Sequence, residues 1–303
     1  MPLPNFLIIG APKAGTTALY ECLRQHPEIY MSRVKEPSFF LLESEPPVFP
    51  ELSGNFLPKK WRPRDYFLLF AGVTNERAIG EASTLYLQSP LAARRIKLYL
   101  PESKLVAILR QPADRAYSHY LSRIQVGEEP ARSFTEALAL EDSRRRQGWS
   151  ELYFYQQQGR YHDQLAVYFD LFSCEQIKVY LYEDWNDAPE MMLRDLFGFL
   201  EVDENFVPEL RRSNVTQVPR NYQLHGLATR PERIERALTP VLPALARRLV
   251  TAALRRFNRK YNFIPPPRLE PEIRQRLTDA YREDILKLQD LIGRDLSQWL
   301  ETK

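Results

Sequence analysis

The stretch that decides the fold is residues 6–17, FLIIGAPKAGTT, where an apolar run gives way to a turn bounded by two glycines. The residues that follow, from Thr16 onward, have the apolar spacing of a helix. A strand, a glycine-bounded turn and a helix N-terminus direct backbone N–H groups and the positive end of a helix dipole at one anion. The stretch therefore predicts a phosphate-binding loop at the end of a buried strand.

The position of the lysine separates this loop from the nucleotide P-loop. Gly10 and Gly15 have the P-loop spacing, but that motif needs a lysine directly after the second glycine, where Thr16 stands. The only lysine in the turn is Lys13. We expect an ammonium in the middle of the loop to lie beside a group attached to the 5′-phosphate of a nucleotide. It would not bridge a β/γ-phosphate pair as the P-loop lysine does, so we expect no metal ion to be required.

Three blocks resemble the sulfotransferases that use 3′-phosphoadenosine 5′-phosphosulfate (PAPS). Residues 10–17 are similar to the 5′-phosphosulfate loop of that family, and residues 104–120, KLVAILRQPADRAYSHY, are similar to its 3′-phosphate block. Residues 34–40, VKEPSFF, are similar to the Glu-Pro-x-Phe-Phe segment of the heparan sulfate 3-O-sulfotransferases and many bacterial relatives. Weaker similarities extend over most of the chain, at residues 80–86, 159–161, 183–184 and 293–299.

The resemblance implies a donor site that binds PAPS and its product 3′,5′-ADP. Sulfuryl transfer builds negative charge on the departing phosphate, so it needs a cation near the bridging oxygen and N–H groups that hold the donor in line. Arg110, at a strand end, and Ser118, two turns into the next helix, suit a terminal phosphate. The alternatives are a strand-end ion pair for Arg110 and a surface serine for Ser118. The donor-binding residues that we expect are Lys13, Ala14, Gly15, Thr16, Thr17, Arg110 and Ser118.

Glu36 is the candidate general base, and Lys13 the candidate catalytic cation. Glu36 follows the second predicted strand and precedes Phe39–Phe40, whose rings we expect to exclude water and so raise the pKa of the carboxyl. The alternative is an exposed Glu36 paired with Lys35.

A histidine base is the other possibility, since other sulfotransferase branches use one. His26 is expected to end a helix, and His119 is expected to point away from the phosphate, which leaves His162 as the alternative. The chain also departs from the sugar-modifying branch at Ala82, where that branch usually has lysine. The cysteine-bracketed loop that closes over the nucleotide in the family is missing, and Arg220 or residues 255–259 could replace its basic contacts.

The composition excludes several classes of protein. A net charge of +3 is too small for a dedicated nucleic-acid binder, although basic residues cluster at 144–146, 211–212, 247–248 and 255–260. These clusters are either solvated helix faces or the lining of an anionic site. Cys22 and Cys174 lie far apart, which predicts neither a disulfide framework nor a zinc site. No long apolar run or leader pattern is visible, so we expect a cytoplasmic protein without an integral membrane segment.

Strand and helix patterns alternate along the first two thirds of the chain. This alternation predicts a P-loop-like three-layer α/β/α fold with a central parallel sheet and ligands at the carboxyl ends of its strands. The predicted strands are Phe6–Ile9, Ile29–Met31, Ala78–Gly80, Lys104–Leu109 and Ile177–Leu181. The predicted helices are Thr16–Gln25, Pro90–Tyr99, Pro112–Ile124, Phe134–Arg145, Tyr161–Phe169 and Ala188–Leu200.

We expect residues 1–303 to form one domain that carries two loop insertions, 42–63 and 213–231, and a mainly helical part, 232–303. The predicted function is in-line transfer of the sulfuryl group from PAPS to a hydroxyl or amine of a small-molecule, carbohydrate or lipid acceptor. The rivals are a small-molecule kinase or NTPase and an inactive nucleotide-binding protein. Arg110 stands where a metal-binding aspartate would follow the strand of a kinase, which disfavours the first rival.

Overall fold

The computed structural model describes residues 2–41, 62–210, 216–240 and 242–301. A five-stranded sheet, in which every described pairing is parallel, has the strand order β2-β3-β1-β4-β5. Its strands are β1 (Phe6–Gly10), β2 (Ile29–Met31), β3 (Ala78–Ala82), β4 (Lys104–Leu109) and β5 (Ile177–Leu181). All five strands that the sequence predicts are confirmed.

The centre of the sheet is covered on both faces. Successive residues of a strand point to opposite faces, yet every residue of β1 is buried, as are all but the first residue of β4. Gly80 in β3 lies so close to the Phe6 ring that a Cβ would meet it at 2.2 Å. Helices therefore flank the sheet on both sides, and the three-layer α/β arrangement is confirmed.

Helices connect and follow the strands. The first nine are α1 (Thr16–Leu23), α2 (Pro63–Phe67), α3 (Pro90–Tyr99), α4 (Pro112–Val126), α5 (Phe134–Ala139), α6 (Glu141–Arg146), α7 (Tyr161–Leu171), α8 (Tyr182–Asp187) and α9 (Pro189–Phe199). The predicted helix Phe134–Arg145 is two short helices that meet at Leu140. None of the described helices has both the length and the apolar character needed to cross a bilayer.

The C-terminal part adds a small two-stranded sheet and four helices. They are β6 (Val218–Pro219), α10 (Tyr222–Thr229), α11 (Pro231–Leu238), α12 (Ala244–Tyr261), β7 (Phe263–Ile264) and α13 (Pro271–Ile292). The prediction of a loop over 213–231 is wrong from Val218 onward, because β6 pairs with β7 and the Asn221 side chain caps α10. Of the other predicted insertion, residues 42–61 lie outside the described residues.

The strand order predicts a ligand-binding cleft at the carboxyl end of β1. The chain leaves β1 toward β2 and β3 on one side and then crosses to β4 on the other, so β1 is where the order reverses. In open parallel sheets ligands bind at the carboxyl ends of the strands at such a point. Residues 11–15, 36, 83–84 and 110 follow these strand ends, so the fold brings the predicted site residues to one edge.

Candidate active site

The loop after β1 has the backbone of an anion-binding turn. Gly15 has φ of 96° in the left-handed region, and the α1 helix starts directly after it. In the described part of the chain no side chain caps α1, and its first turn carries no acidic residue. Gly10 approaches Leu87 so closely that a Cβ would lie 2.6 Å from the Leu87 Cβ. The first N–H groups of α1 are therefore available to an anion.

Lys13 stands among other cations at this loop. Burial, the largest cause, and the positive charges of Arg123, Arg110 and Lys35 together lower the pKa of Lys13 to about 8. Lys35 is paired with Glu36 and Arg123 with Glu128. Among the described residues no carboxylate forms an ion pair with Lys13 itself, so an anion bound beside it would stabilise its charged form.

Arg110 is held at the same place by three contacts. Its Nη1 donates to the Lys13 carbonyl at 3.3 Å, and its guanidinium lies 4.7 Å from the centre of the Tyr182 ring. The Tyr161 hydroxyl donates to the Arg110 carbonyl at 2.9 Å. Tyr182 also lines the loop, since a Cβ on Gly15 would lie 3.5 Å from its ring. The predicted alternative, a strand-end ion pair, has no counterpart for Arg110 within the described ranges.

Ser118 lies on α4, partly buried, and no hydrogen bond to another described residue occupies its hydroxyl. Arg110 and Ser118 are therefore both available to a ligand, although the structure shows no direct contact between them.

Glu36 lies on a tight turn after β2. Glu36 and Ser38 both have left-handed backbone, with φ of 58° and 56°, a conformation that non-glycine residues adopt at a cost of about 1 kcal/mol or more each. Two bonds fix the turn against the end of β3: Glu36 N donates to the Ala82 carbonyl at 2.8 Å, and Ser38 N donates to Ser83 Oγ at 2.9 Å. Backbone strain of this kind collects at functional sites.

The carboxylate of Glu36 is oriented from three directions. Its oxygens accept from Thr84 N at 2.8 Å, from Thr84 Oγ1 at 3.0 Å and from Lys35 Nζ at 2.7 Å. The expectation that Phe39–Phe40 desolvate it is wrong, because the side chain is 37% exposed and the Phe39 ring instead stacks on Tyr66 at 4.2 Å. The pairing with Lys35 that the sequence left open is present.

A second carboxylate, Glu81, lies buried behind Glu36. It accepts hydrogen bonds from Ser83 Oγ at 2.7 Å, from the Tyr86 hydroxyl at 2.8 Å and from the Tyr66 hydroxyl at 3.1 Å. The pKa of Glu81 is raised to about 7, because burial and, to a smaller extent, the charge of Glu36 outweigh the three hydrogen bonds, which lower it. Glu81 thus holds Ser83, the residue that fixes the turn carrying Glu36.

The histidines are less suited to proton removal. His119 is buried, and burial together with Arg115, Arg123 and Lys13 lowers its pKa well below the usual value, so it is a poor proton acceptor. His162 lies at the start of α7, with Nδ1 3.2 Å from Asp163 Oδ1 and its backbone N donating to Asp284. His162, Asp163 and Asp284 have ligand atoms within 4.8 Å of one another, but those acids already bond within the group.

Sequence reasoning missed several residues of the site. Arg123 follows Arg115 and His119 at four-residue spacing on α4, which places all three on one helix face and could have signalled its role. Lys35 was expected only as a possible partner of Glu36, and Glu81 lies in the similar block 80–86, to which no role for Glu81 itself was assigned. Tyr182 gave no comparable signal, because its role depends on contacts between distant segments.

The weaker sequence similarities mark contacts that hold the C-terminal segment in place. Arg294 forms a two-point ion pair with Asp184, at 2.9 and 3.1 Å, and the Trp299 indole donates to Glu183 at 3.0 Å. These four residues come from two separate similar blocks. The blocks therefore serve the packing around α8, which begins at Tyr182 beside the loop.

Comparison with known proteins identifies the family. A family model described as "Sulfotransferase family" matches residues 4–206. The crystal structure of a sulfotransferase from Alicyclobacillus acidocaldarius is similar with a TM-score of 0.74 and 32% sequence identity, over 99% of this chain and 100% of that one. The chain belongs to the sulfotransferase family.

Curated relatives match over part of their length. The membrane-associated sulfotransferase kil1 of Dictyostelium discoideum is 33% identical over 123 residues, 41% of this chain and 24% of that protein. The human bifunctional heparan sulfate N-deacetylase/N-sulfotransferase 2 is 33% identical over 136 residues, 44% of this chain and 14% of that protein. Mouse carbohydrate sulfotransferase 15 is 27% identical over 290 residues, 80% of this chain and 50% of that protein. The chain thus spans half or less of these relatives.

Proposed function

We propose that this sulfotransferase takes its sulfuryl group from PAPS and transfers it to a hydroxyl or amine acceptor, with Lys13 and Glu36 as the catalytic residues. The observation that carries the proposal is the cluster of Lys13, Arg110, Lys35 and Arg123 around an uncapped helix N-terminus. Lys35 is paired with Glu36 and Arg123 with Glu128, whereas Lys13 and Arg110 have no carboxylate partner among the described residues. A donor with a 5′-phosphosulfate and a 3′-phosphate supplies an anion to each of these two.

The residues divide the work on the donor. The backbone of Ala14, Gly15, Thr16 and Thr17 holds the phosphosulfate, and Arg110 with Ser118 binds the 3′-phosphate. Lys13 stabilises the charge that develops on the bridging oxygen when the sulfur–oxygen bond of the donor breaks. The backbone of Lys13 is left-handed, with φ of 68°, a strained conformation of the kind that collects at functional sites.

Glu36 acts on the acceptor. As the new bond between the acceptor oxygen or nitrogen and sulfur forms, the acceptor loses a proton to the Glu36 carboxylate. Thr84 and Lys35 hold that carboxylate in one orientation. Its exposed edge is where an acceptor can reach it, and 3′,5′-ADP leaves as the second product.

The acceptor class that we propose is a hydroxyl- or amine-bearing small molecule, carbohydrate or lipid. Two curated relatives carry carbohydrate acceptors in their names, heparan sulfate and carbohydrate, which supports a sugar. Ala82, where the sugar-modifying branch usually has lysine, counts against a glycosaminoglycan-like chain. We further propose that residues 1–303 act as one catalytic domain, since α13 packs on both α4 and α7. We place this domain in the cytoplasm, where reducing conditions suit its free cysteines, Cys22 and Cys174.

The experiment that tests the donor is ligand-induced thermal stabilisation of the whole chain. We expect 3′,5′-ADP to raise the melting temperature strongly and ATP–Mg to raise it little, because Arg110 and Ser118 are set for a 3′-phosphate. Equal or greater stabilisation by ATP–Mg would favour the kinase. Binding of 3′,5′-ADP without any turnover of PAPS across sugars, lipids, phenols and amines would favour the inactive nucleotide-binding protein.

A companion variant sharpens the same experiment. Arg110→Ala should weaken 3′,5′-ADP roughly tenfold to a hundredfold, the usual range for a charge-assisted hydrogen bond, while 5′-AMP loses little. Equal losses for the two nucleotides would mean that Arg110 does not contact the 3′-phosphate. Arg94→Ala, at an exposed arginine of α3, is the matched control.

A further inference from the structure

The helix α12 presents a surface that the sulfotransferase reaction does not use. Its inner stripe, spaced by three and four residues, consists of Arg247, Thr251, Leu254 and Asn258. This stripe packs against α10 and α11, where Asn258 bonds the ring of His225 at 3.1 Å. The rest of the circumference of α12 faces solvent.

Large apolar side chains are concentrated on that outer surface. A single exposed apolar side chain is ordinary, whereas several on one helix form a patch that marks an interaction site. The helix has 18 residues. The exposed ones of this kind are Leu245 (72%), Leu249 (64%), Val250 (43%), Phe257 (51%) and Tyr261 (59%).

The same surface is strongly basic. Between Glu235 and Glu270 the sequence contains eight Arg and Lys residues and no acidic residue. Six of them belong to α12: Arg247 on the inner stripe, and the exposed Arg248, Arg255, Arg256, Arg259 and Lys260. No ion pair to a described residue neutralises any of these six. Within the described part of the chain, the five exposed cations of this surface are therefore not balanced by carboxylates.

The basic and the large apolar side chains occupy defined positions around the exposed face of α12. At about 100° per residue, Arg248, Arg255 and Arg259 fall along one border of the exposed face, and Phe257 and Tyr261 fall along the other. Leu245 and Leu249 lie between the borders, together with Arg256 and Lys260. The exposed face therefore has arginines along one border, aromatic rings along the other, and leucines next to basic residues in the middle, so apolar and cationic groups are exposed together.

We propose that α12 docks flat on an anionic lipid bilayer, with Leu249 and Phe257 at the acyl boundary and the arginine border on the lipid phosphates. Charge complementarity and the apolar patch together select this occupant. A polyanion alone would leave the apolar side chains in water, and an apolar protein surface would leave the cations unpaired. A bilayer offers anions and hydrocarbon side by side. This inference is independent of the donor and of the acceptor.

Vesicle flotation of the full chain tests the proposal. We expect the chain to float with phosphatidylcholine vesicles that contain phosphatidylglycerol, to bind vesicles of phosphatidylcholine alone far less, and to bind less as salt rises. The variant R255E/R256E/R259E should lose at least about tenfold in vesicle affinity. The matched control R94E/R145E/R146E makes the same charge change on exposed arginines of α3 and α6 and should bind nearly as the parent does.

A second pair of variants tests the apolar side. L249S/F257S should lower vesicle affinity by roughly tenfold, whereas L98S/M191S, at two other exposed apolar residues, should not. A circular dichroism spectrum and a melting temperature equal to those of the parent show that each variant is folded. The proposal is overturned by absence of binding to the anionic vesicles or by equal losses in the two arginine variants. Normal vesicle binding by L249S/F257S would also overturn it, because the apolar side chains would then have no part in binding. Competition by heparin in that case would identify the surface as a site for a polyanion.

Discussion

The proposed donor side and the proposed acceptor side of the candidate active site are built in different ways. The donor side comes from short continuous segments, residues 10–17 and 104–118, which lie at the ends of the neighbouring strands β1 and β4. The acceptor side is assembled from residues 35–38, 66 and 81–86, joined by side-chain hydrogen bonds between segments far apart in sequence. Local patterns can therefore identify the donor side, while the acceptor side exists only after folding.

The two sides also differ in charge. The donor side gathers cations, so that burial and its neighbours lower the pKa of Lys13 to about 8. The acceptor side gathers carboxylates, so that burial and Glu36 raise the pKa of Glu81 to about 7. Each shift disfavours the charged form of the group. The donor side thus needs a bound anion, and the acceptor side is able to hold a proton.

The change with the largest expected effect is Glu36→Gln. Glutamine keeps the size of the side chain and one of its two acceptor oxygens, but it cannot accept the proton of the acceptor, so we expect transfer to fall by roughly 10³-fold or more. The affinity for 3′,5′-ADP should be almost unchanged, because the donor side does not use Glu36. Sulfate transfer and nucleotide titration measure the two effects separately.

The control for Glu36 is Glu21→Gln, at an exposed carboxylate of α1 that is also paired with a basic neighbour, Arg24. It should leave both measurements unchanged. If Glu36→Gln turns over normally while His162→Ala is inactive, the base is a histidine. Residues 35–38 and 81–86 would then not form the acceptor side.

Lys13→Ala should lower kcat by roughly 10²–10³-fold, the effect of losing one preorganised donor to developing negative charge. The ammonium must be protonated to act, so kcat/KM for PAPS in the parent should fall as the pH rises above about 8, the pKa of Lys13. The variant should lack that decrease of kcat/KM at alkaline pH.

Wild-type turnover of Lys13→Ala would show that the lysine takes no part in the chemistry. The control is Lys287→Ala, at a lysine exposed on α13.

Glu81→Gln has the smallest expected effect, on the pH dependence of stability. The pKa of Glu81 is about 7 in the folded chain against 4.5 for the free group. Between these values the unfolded carboxyl loses its proton while the folded one keeps it, so the parent should lose about 3 kcal/mol of unfolding free energy relative to the variant as pH rises from about 4.5 to about 7. Denaturant unfolding at several pH values measures this.

The control for Glu81 is Glu102→Gln, at an exposed carboxylate after α3, which should follow the parent at every pH. A constant difference in unfolding free energy between the parent and Glu81→Gln would show that Glu81 titrates as an ordinary carboxyl. The buried network behind Glu36 would then have no role in holding a proton.

Much of the fold and the donor side was predictable from the sequence. The five strands are short apolar runs, and parallel strands buried on both faces have such runs regardless of their neighbours. The loop is defined by Gly10, Lys13 and Gly15, whose backbone requirements are local. The region around Val218 was mistaken for loop, because a two-residue strand that pairs across some forty residues leaves no local periodicity.

The family resemblance, the sheet and the residues at the strand ends could be read along the chain, because each depends on neighbouring residues. Folding alone brings the charges of Arg110 and Arg123 to bear on Lys13, sets Thr84 and Lys35 against Glu36, and buries Glu81 behind it. The physical reason is that pKa values and hydrogen-bond partners depend on distance through space and on burial. Neither quantity is encoded in the spacing of residues along the chain.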